Sequence, residues 1–414
     1  MPSASLWRDA DFRRLWASQT ASQLGEHASL VVLPLFAVLT LHADAGQLGV
    51  LRAVGQAPIL LLSLFVGAWV DRWRTRTVLV LTDAGRALIL GGAAAAGLCG
   101  WLVLPALFPV AFAVGALSVF FDVAYQTSLV RLVRRDQLVR GNSALEGSRS
   151  AAQIGGPALG GALVSWLSAP VAVASSALFF ALSFVSARRI RRSESLPERS
   201  GTPPRLWRRI RDGLRFVVKE PSLRTVCLAS AAFQLSFSAT MTGYLLFLPR
   251  ELHLSGTVIG LALAATGPGA LLGAMLAARL PQRIGYGPAL ISAAVLGDGV
   301  FLCVPALHAS SAVTVPALLA INFVFGLGGQ LVNVTLMAVR QAATPHDMQA
   351  RAAATINLIG MGMTPLGSLL GGLLAQQWGL RTSLLATAAA MLASPVLIAL
   401  SPLPRLGRTF PQSS

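Results

Sequence analysis

The sequence predicts an all-α membrane protein with twelve transmembrane helices in two parallel six-helix repeats. Three observations carry this. Of 414 residues, 54% are hydrophobic and only 12% charged, against about 25% charged residues in a soluble domain. The apolar residues form long blocks, not amphipathic stripes. The chain also matches itself when slid by 211 residues. This composition excludes a soluble enzyme and a disordered chain. The formal net charge of +17 points instead toward nucleic acid, and only its distribution can decide the matter.

A membrane-crossing helix needs about 20 mostly apolar residues. Twelve blocks qualify: 14–41, 46–70, 77–99, 103–130, 143–168, 170–189, 224–249, 256–280, 286–307, 312–339, 351–378 and 381–401. The first carries Glu26 and His27 near its middle. The second has Arg52 near its outer end and the run Leu60-Leu61-Leu62-Ser63-Leu64-Phe65-Val66, which lacks the alternation of a β-barrel strand. The third holds Asp83 and Arg86, whose spacing reads as a local ion pair. The fourth has Asp122 and no basic residue. The fifth carries Glu146 and Arg149, three apart, then a Gly- and Pro-rich stretch. The sixth closes the first half. The seventh holds Gln234 and Tyr244, the ninth Asp298, and the tenth Asn322 and Asn333. Cys99, Cys227 and Cys303 fall within spans and read as small core residues. The N-terminus lacks a small-residue cleavage site, so the first span is expected to be retained.

Of the 33 basic residues, 28 fall on one side of the expected topology, two (Arg250 and Arg381) on the other, and three (Arg52, Arg86 and Arg149) inside spans. By the positive-inside rule both termini and the central loop are cytoplasmic. The charge is therefore an orientation signal with contact to anionic lipid, and nucleic acid is not an expected partner. The segment 190–222 is the only long polar stretch. Its second part, from Leu206 to Val217, sets apolar residues at helical spacing among arginines, as in an interfacial amphipathic helix. The expected organisation is a six-helix half over 1–189, a cytoplasmic linker over 190–222, and a second half over 223–414.

The repeat rests on scarce residues. At the 211-residue offset Arg13 meets Arg224, Gln23 meets Gln234, and Leu41-His42 meets Leu252-His253. Arg72 meets Arg283, Pro105 meets Pro316, Asp136 meets Asp347, and Gly160-Gly161 meets Gly371-Gly372. A six-span offset preserves orientation, so the halves are parallel, an architecture of one large transporter class.

Between spans two and three stands Gly67-Ala68-Trp69-Val70-Asp71-Arg72-Trp73-Arg74-Thr75-Arg76, and in span five Gly155-Gly156-Pro157-Ala158-Leu159-Gly160-Gly161. The first resembles the G-x-x-x-D-R-x-x-R-[RK] loop of the major facilitator superfamily. The second is similar to the G-P-x-x-G-G antiporter motif of its proton-coupled drug exporters, with Ala152 at the usual upstream Gly. Phe120 to Gln126 and Asn142 to Glu146 also resemble the branch of macrolide and siderophore exporters. The resemblance covers nearly the whole chain. It implies the major facilitator fold, with a gating loop formed by Gly67, Asp71, Arg72, Arg76 and Arg131. It also implies an antiporter-like element at Gly156, Pro157, Gly160 and Gly161. Spans one, four, seven and ten would line the cavity, nominating Glu26, Asp122, Tyr125, Gln234, Tyr244, Asn322 and Asn333.

Ionisable groups inside spans are costly and are functional candidates by default. Glu26, Asp122, Asp298 and Arg52 are the proton-coupling candidates, with Glu26 foremost, because an acid out of water can load and release a proton. The competing reading of Glu26 is a structural acid paired with Arg52. No Gly-x-x-x-x-Gly-Lys-[Ser/Thr] loop is present, so ATP is not expected as the energy source. The scattered histidines offer neither metal-ligand nor catalytic clustering, and no cofactor or metal is expected. The sequence reading is a monomeric multi-pass transporter of the inner membrane, exporting lipophilic small molecules by proton antiport. An importer or facilitator of a small solute, and a non-transporting membrane protein, remain open alternatives.

Overall fold

A computed structural model describes residues 6–70, 73–132, 137–191, 206–309, 311–342, 344 and 348–401. It is helical throughout, with no strand among the described residues. The first half runs α1 (Ala10–Leu39), α2 (Ala45–Val70), α3 (Thr75–Leu98), α4 (Leu104–Leu132), α5 (Leu138–Trp166) and α6 (Ala169–Arg188). After α7 (Leu206–Lys219) come α8 (Pro221–Arg250), α9 (Gly256–Ala264), α10 (Thr266–Ala277), α11 (Leu280–Ile284) and α12 (Tyr286–Gly299), the last continued as a 3₁₀ helix (Val300–Ala306). The chain ends in α13 (Thr314–Ala342), α14 (Gln349–Trp378), α15 (Leu380–Met391) and α16 (Ala393–Ala399). Eleven stretches among the described residues are long and apolar enough to cross a membrane, with α9–α10 counted as one and α15–α16 as another. The remaining expected span lies in α5, which is long enough at 29 residues but carries Arg140, Glu146 and Arg149 in its first half.

Local chemistry sets the helix ends. Asp9 caps α1 by accepting from the backbone N–H of Asp11 at 2.9 Å and Phe12 at 3.3 Å, which satisfies two otherwise orphaned donors. The two ends that close α1 and α8 are near copies. Leu41 N–H donates to Phe36 O at 3.3 Å, and Leu252 N–H donates to Phe247 O at 3.2 Å. His42 and His253 follow at φ 53° and 52°. The 211-residue repeat therefore extends to the backbone, including a left-handed residue that is not glycine. His253→Gly is expected to leave stability unchanged or raise it by about 0.5–1 kcal/mol, while His253→Val lowers it by about 1–2 kcal/mol. Thermal unfolding of the solubilised variants checks this.

The chain divides into two compact units. Unit 1 comprises Met1–Asp44, Val54–Arg199 and Leu254–Ala264. Unit 2 comprises Ala45–Ala53, Ser200–His253 and Ala265–Ser414. Each unit therefore contains one segment from the opposite half of the sequence. Inside unit 1, α5 presses its small residues against α9. A Cβ on Gly256 would come to 2.8 Å of Gly161 O, and one on Gly260 to 2.6 Å of Pro157 O. Thr257 N–H donates to Ser165 Oγ at 2.7 Å across the same contact. Unit 2 makes the equivalent contact between the first turns of α2 and the last turns of α14, where a Cβ on Gly372 would come to 2.6 Å of Ala45 O and 2.8 Å of the Gly49 Cα. At the 211-residue offset these positions are the same pairs. The α2–α4 crossing at Gly55 and Gly115 likewise recurs at Thr266 and Gly326 in α10 and α13, and a side chain on either Gly115 or Gly326 would overlap a backbone carbonyl. Backbones at this distance gain van der Waals contact that lipid cannot replace.

In unit 1 an apolar cluster of Phe12, Leu15, Val66, Val70, Val78, Leu79, Phe121 and Leu145 packs α1 to α5 together. In unit 2, Val217 of α7 packs with Leu223, Val226, Ala352 and Ile356, while Arg211, Leu214, Arg215 and Val218 stay exposed. The expected amphipathic helix is thus formed, with its buried edge against α8 and α14. All three cysteines are free, and only Cys227 is buried. Cys99 and Cys303 are exposed, which corrects their reading as core residues: Cys99 caps the end of α3 and Cys303 lies on the 3₁₀ turn.

Candidate functional site

The densest polar site within the membrane-spanning helices of unit 1 is built by one-turn spacings on four helices. Ser18, Ser22 and Glu26 repeat every four residues along α1. Asp83 and Arg86 are three apart on α3, Ser118, Phe121 and Asp122 lie within one turn of α4, and Phe180 and Ser183 are three apart on α6. Residues at these spacings share a helix face, so each helix turns one short polar or aromatic stripe toward a common centre. That centre is the guanidinium of Arg86, which is fully buried. Its Nη2 donates to Asp83 Oδ1 at 2.5 Å and to Ser22 Oγ at 2.9 Å, and its Nη1 donates to Ser118 Oγ at 3.2 Å. The rings of Phe121 and Phe180 lie at 4.4 Å on the cation, close enough for strong attraction by their π faces in a desolvated site.

Asp83 is equally buried. Its Oδ1 accepts from Ser22 Oγ at 3.1 Å as well as from Arg86, and its Oδ2 accepts a short hydrogen bond from Ser183. Ser183 is itself placed by Ser18, 2.9 Å away between hydroxyl oxygens. Burying two charges costs several kcal/mol per ion unless the geometry is good and the remaining donors and acceptors are met, and here nearly all are. Glu26 is the loose member. Its Oε2 lies 3.5 Å from Arg86 Nη1, and the side chain is 24% exposed. That oxygen is buried but takes no hydrogen bond among the described residues.

Around this centre stand further charges. Asp122 is exposed yet close enough to Glu26, Arg86 and Arg149 to feel their charges. His27 lies within electrostatic reach of Glu26 and Arg149, and Tyr125 within reach of Asp122, Glu146 and Arg149. Glu146 and Arg149 also face each other at 3.5 Å as an exposed pair. The acids Glu26, Asp83, Asp122 and Glu146 outnumber the cations Arg86 and Arg149 by two.

The competing reading of Glu26 paired it with Arg52; the cation beside it is Arg86. Arg52 belongs to the α2 segment counted in unit 2, and its Nε has no hydrogen-bond partner among the described residues. Asp83 and Arg86 were expected to be an ordinary local pair; they are the buried hub of four helices. A signal for this existed, since an arginine in mid-span is expensive. The 211-residue repeat supplies a second signal. At that offset Asp83 and Arg86 meet Ala294 and Gly297, while Ser22 and Glu26 meet Phe233 and Phe237. Unit 2 uses those positions for an aromatic stack, with Phe233 on Phe237 at 5.4 Å and Phe237 on Phe325 at 5.2 Å between ring centroids. The polar hub is therefore confined to the first half.

The other nominated residues divide. Tyr244 and Asn322 are fully buried and bonded to each other at 2.8 Å, Asn322 Nδ2 donating. Both lie in the interior of unit 2. Gln234 is half-buried and Asn333 exposed, on α8 and α13. Asp298 is buried in α12 with its side chain free of ion pairs among the described residues. Gly156 and Gly160 are contact glycines: a Cβ on Gly156 would come to 2.5 Å of the His27 Cβ, and one on Gly160 to 2.8 Å of Ala28 O. With Gly161 against α9, they and the intervening Pro157 lie where α5 packs on its neighbours. In the loop motif, Arg76 donates from Nη2 to Arg188 O at 2.6 Å, a cation at the carbonyl end of α6. Gly67 lies within α2. Asp71 and Arg72 lie outside the described residues, as does the side chain of Arg131.

The family model for transmembrane secretion effectors, a branch of the major facilitator superfamily, matches residues 2–413. The multidrug efflux pump Tap of Mycobacterium tuberculosis (strain ATCC 25618 / H37Rv) is 28% identical over 408 residues, covering 92% of this chain and 90% of the relative. Tap of Mycolicibacterium fortuitum is 26% identical, covering 95% of both. An uncharacterized MFS-type transporter of Bacillus subtilis (strain 168), YfiS, is 25% identical and covers 90% of this chain and 88% of its own length. Among solved structures, a bacterial homologue of the iron transporter ferroportin in the inward-facing state superposes with a TM-score of 0.76 at 19% identity, over 96% of this chain and 99% of that one. The nucleoside transporter NupG superposes with 0.73 at 13% identity, over 94% and 98%. This multi-pass membrane protein therefore belongs to the major facilitator superfamily of transporters, in the family of transmembrane secretion effectors.

Proposed function

We propose that the chain exports lipophilic small molecules across the cell membrane by proton antiport with alternating access. The observation that carries this is Glu26, an intramembrane carboxylate held loosely at 3.5 Å from Arg86 while Asp83 occupies that cation at 2.5 Å. A proton arriving from the outer side binds Glu26, and its release to the inner side resets the carboxylate. Asp122 nearby adds a second negative charge, which suits lipophilic cations. Relatives named as multidrug efflux pumps support the direction, and the one-sided basic residues support cytoplasmic termini. Two repeated halves, 1–189 and 223–414, joined by a linker over 190–222, suit a monomer that rocks between two states.

In everted vesicles energised with a proton gradient, the wild type is expected to accumulate ethidium, a lipophilic cation. Glu26→Gln loses roughly tenfold or more of that rate, because a removed proton carrier uncouples the cycle. Full accumulation by Glu26→Gln sinks the assignment. Counterflow of ethidium without proton movement in the wild type marks a facilitator instead.

A further inference from the structure

Arg86 stands between two acids, and the structure holds it unequally. On one side are the 2.5 Å pair with Asp83 and the hydroxyls of Ser22 and Ser118, with the Phe121 and Phe180 rings over its faces. On the other side is one 3.5 Å approach to Glu26. Asp83 is in turn pinned by Ser22 and Ser183. We propose that Asp83 is a positioning residue that sequesters Arg86, so that the negative charge of Glu26 is only partly compensated and stays open to a proton.

The inference rests on the antiport reading above and names how that site is regulated. An arginine free to turn to Glu26 would form a two-point pair with it. Glu26 would then hold its charge against protonation and stop cycling. The Asp83–Arg86 pair is neutral as a unit, so protonating Glu26 leaves no net charge on the three groups. Other charged groups also face Glu26. On α1 itself the neighbour is His27. On α4 it is Asp122, with Tyr125 one turn on, and on α5 Arg149 acts on both His27 and Asp122 beside Glu146. The only charged residue of α6 is Arg188 in its last turn. None of these is altered by changing Asp83.

The test is an infrared titration of the full chain reconstituted in lipid, with no transported ligand. The protonated-carboxyl stretch of Glu26 is assigned by its loss in Glu26→Gln. Asp83→Asn frees Arg86 for Glu26, so the midpoint of that band is expected to fall by about one pH unit or more. Ser183→Ala loosens the clamp without removing its charge and shifts the midpoint the same way by less. Asp83→Asn with Arg86→Gln removes the cation while keeping the hub neutral, and here the midpoint rises. Removing a charge shifts the midpoint even without any movement of Arg86, so Ser183→Ala, which keeps both charges, is the deciding variant: a pair that does not hold Arg86 back leaves its midpoint unchanged. An unchanged midpoint in Ser183→Ala overturns the proposal. The antiport reading is judged separately, by ethidium transport in Glu26→Gln.

Discussion

Arg86→Gln is expected to destabilise the solubilised protein by about 3–5 kcal/mol, because it leaves Asp83 buried without its cation. Asp83 would keep only the hydroxyls of Ser22 and Ser183, and the Phe121 and Phe180 rings would lose the cation between them. Most of the loss is expected to return in the double variant Asp83→Asn, Arg86→Gln, since neutral amides at hydrogen-bonding distance need no counter-charge. Thermal unfolding in detergent, with the yield of folded protein, measures both. If Arg86→Gln alone unfolds at the wild-type temperature, the hub is not a buried charge pair in solution.

Gly161→Leu is expected to act through packing. A side chain there would overlap the backbone of Gly256 and Gly260, and backbone cannot step aside as a flexible side chain can. Overpacking of this kind costs about 1–3 kcal/mol and often more where both surfaces are main chain. Gly372→Leu is expected to do the same in unit 2, against Ala45 and Gly49. Gly155→Leu is the matched control, since nothing lies within 4 Å of a Cβ at that position. Membrane abundance and ethidium transport should fall in the first two variants and hold in the third. Equal behaviour of Gly161→Leu and Gly155→Leu would count against the contact.

Most of the fold is legible in the sequence because lipid imposes a simple rule: about 20 apolar residues per crossing, with every backbone group bonded inside the helix. What hydropathy misses are interruptions that keep the segment apolar. The eighth span divides at Ala265, just before Thr266-Gly267-Pro268, and the twelfth at Leu392, just before Ala393-Ser394-Pro395, breaks that a hydropathy average passes over. The repeat was visible through His42 and His253, though not their left-handed backbone. At the site, Glu26 stands out because an acid in mid-span is rare. Its partner does not, because Asp83 and Arg86 at three-residue spacing look like any helix-surface pair. Only the convergence of Ser22, Ser118, Phe121, Phe180 and Ser183 from three other helices separates a hub from a surface pair, and convergence is a property of packing. Tyr244 and Asn322, polar groups on the spans expected to line a cavity, are buried and bonded to each other, a pairing that spacing alone does not show.

The exchange of short segments between the two units has a consequence for biosynthesis. Gly260 follows Gly161 by 99 residues, and Gly372 follows Gly49 by 323. The glycine face of α5 thus enters the bilayer well before the helix that covers it, and the first turns of α2 wait almost until the chain is finished. Neither unit can complete itself from its own stretch of nascent polypeptide. A ribosome stalled between the halves would leave a bundle with an uncovered groove of small residues and an unclaimed first turn of α2. Such a half is expected to be degraded faster than the full chain, and co-expression of the second half is expected to slow that loss.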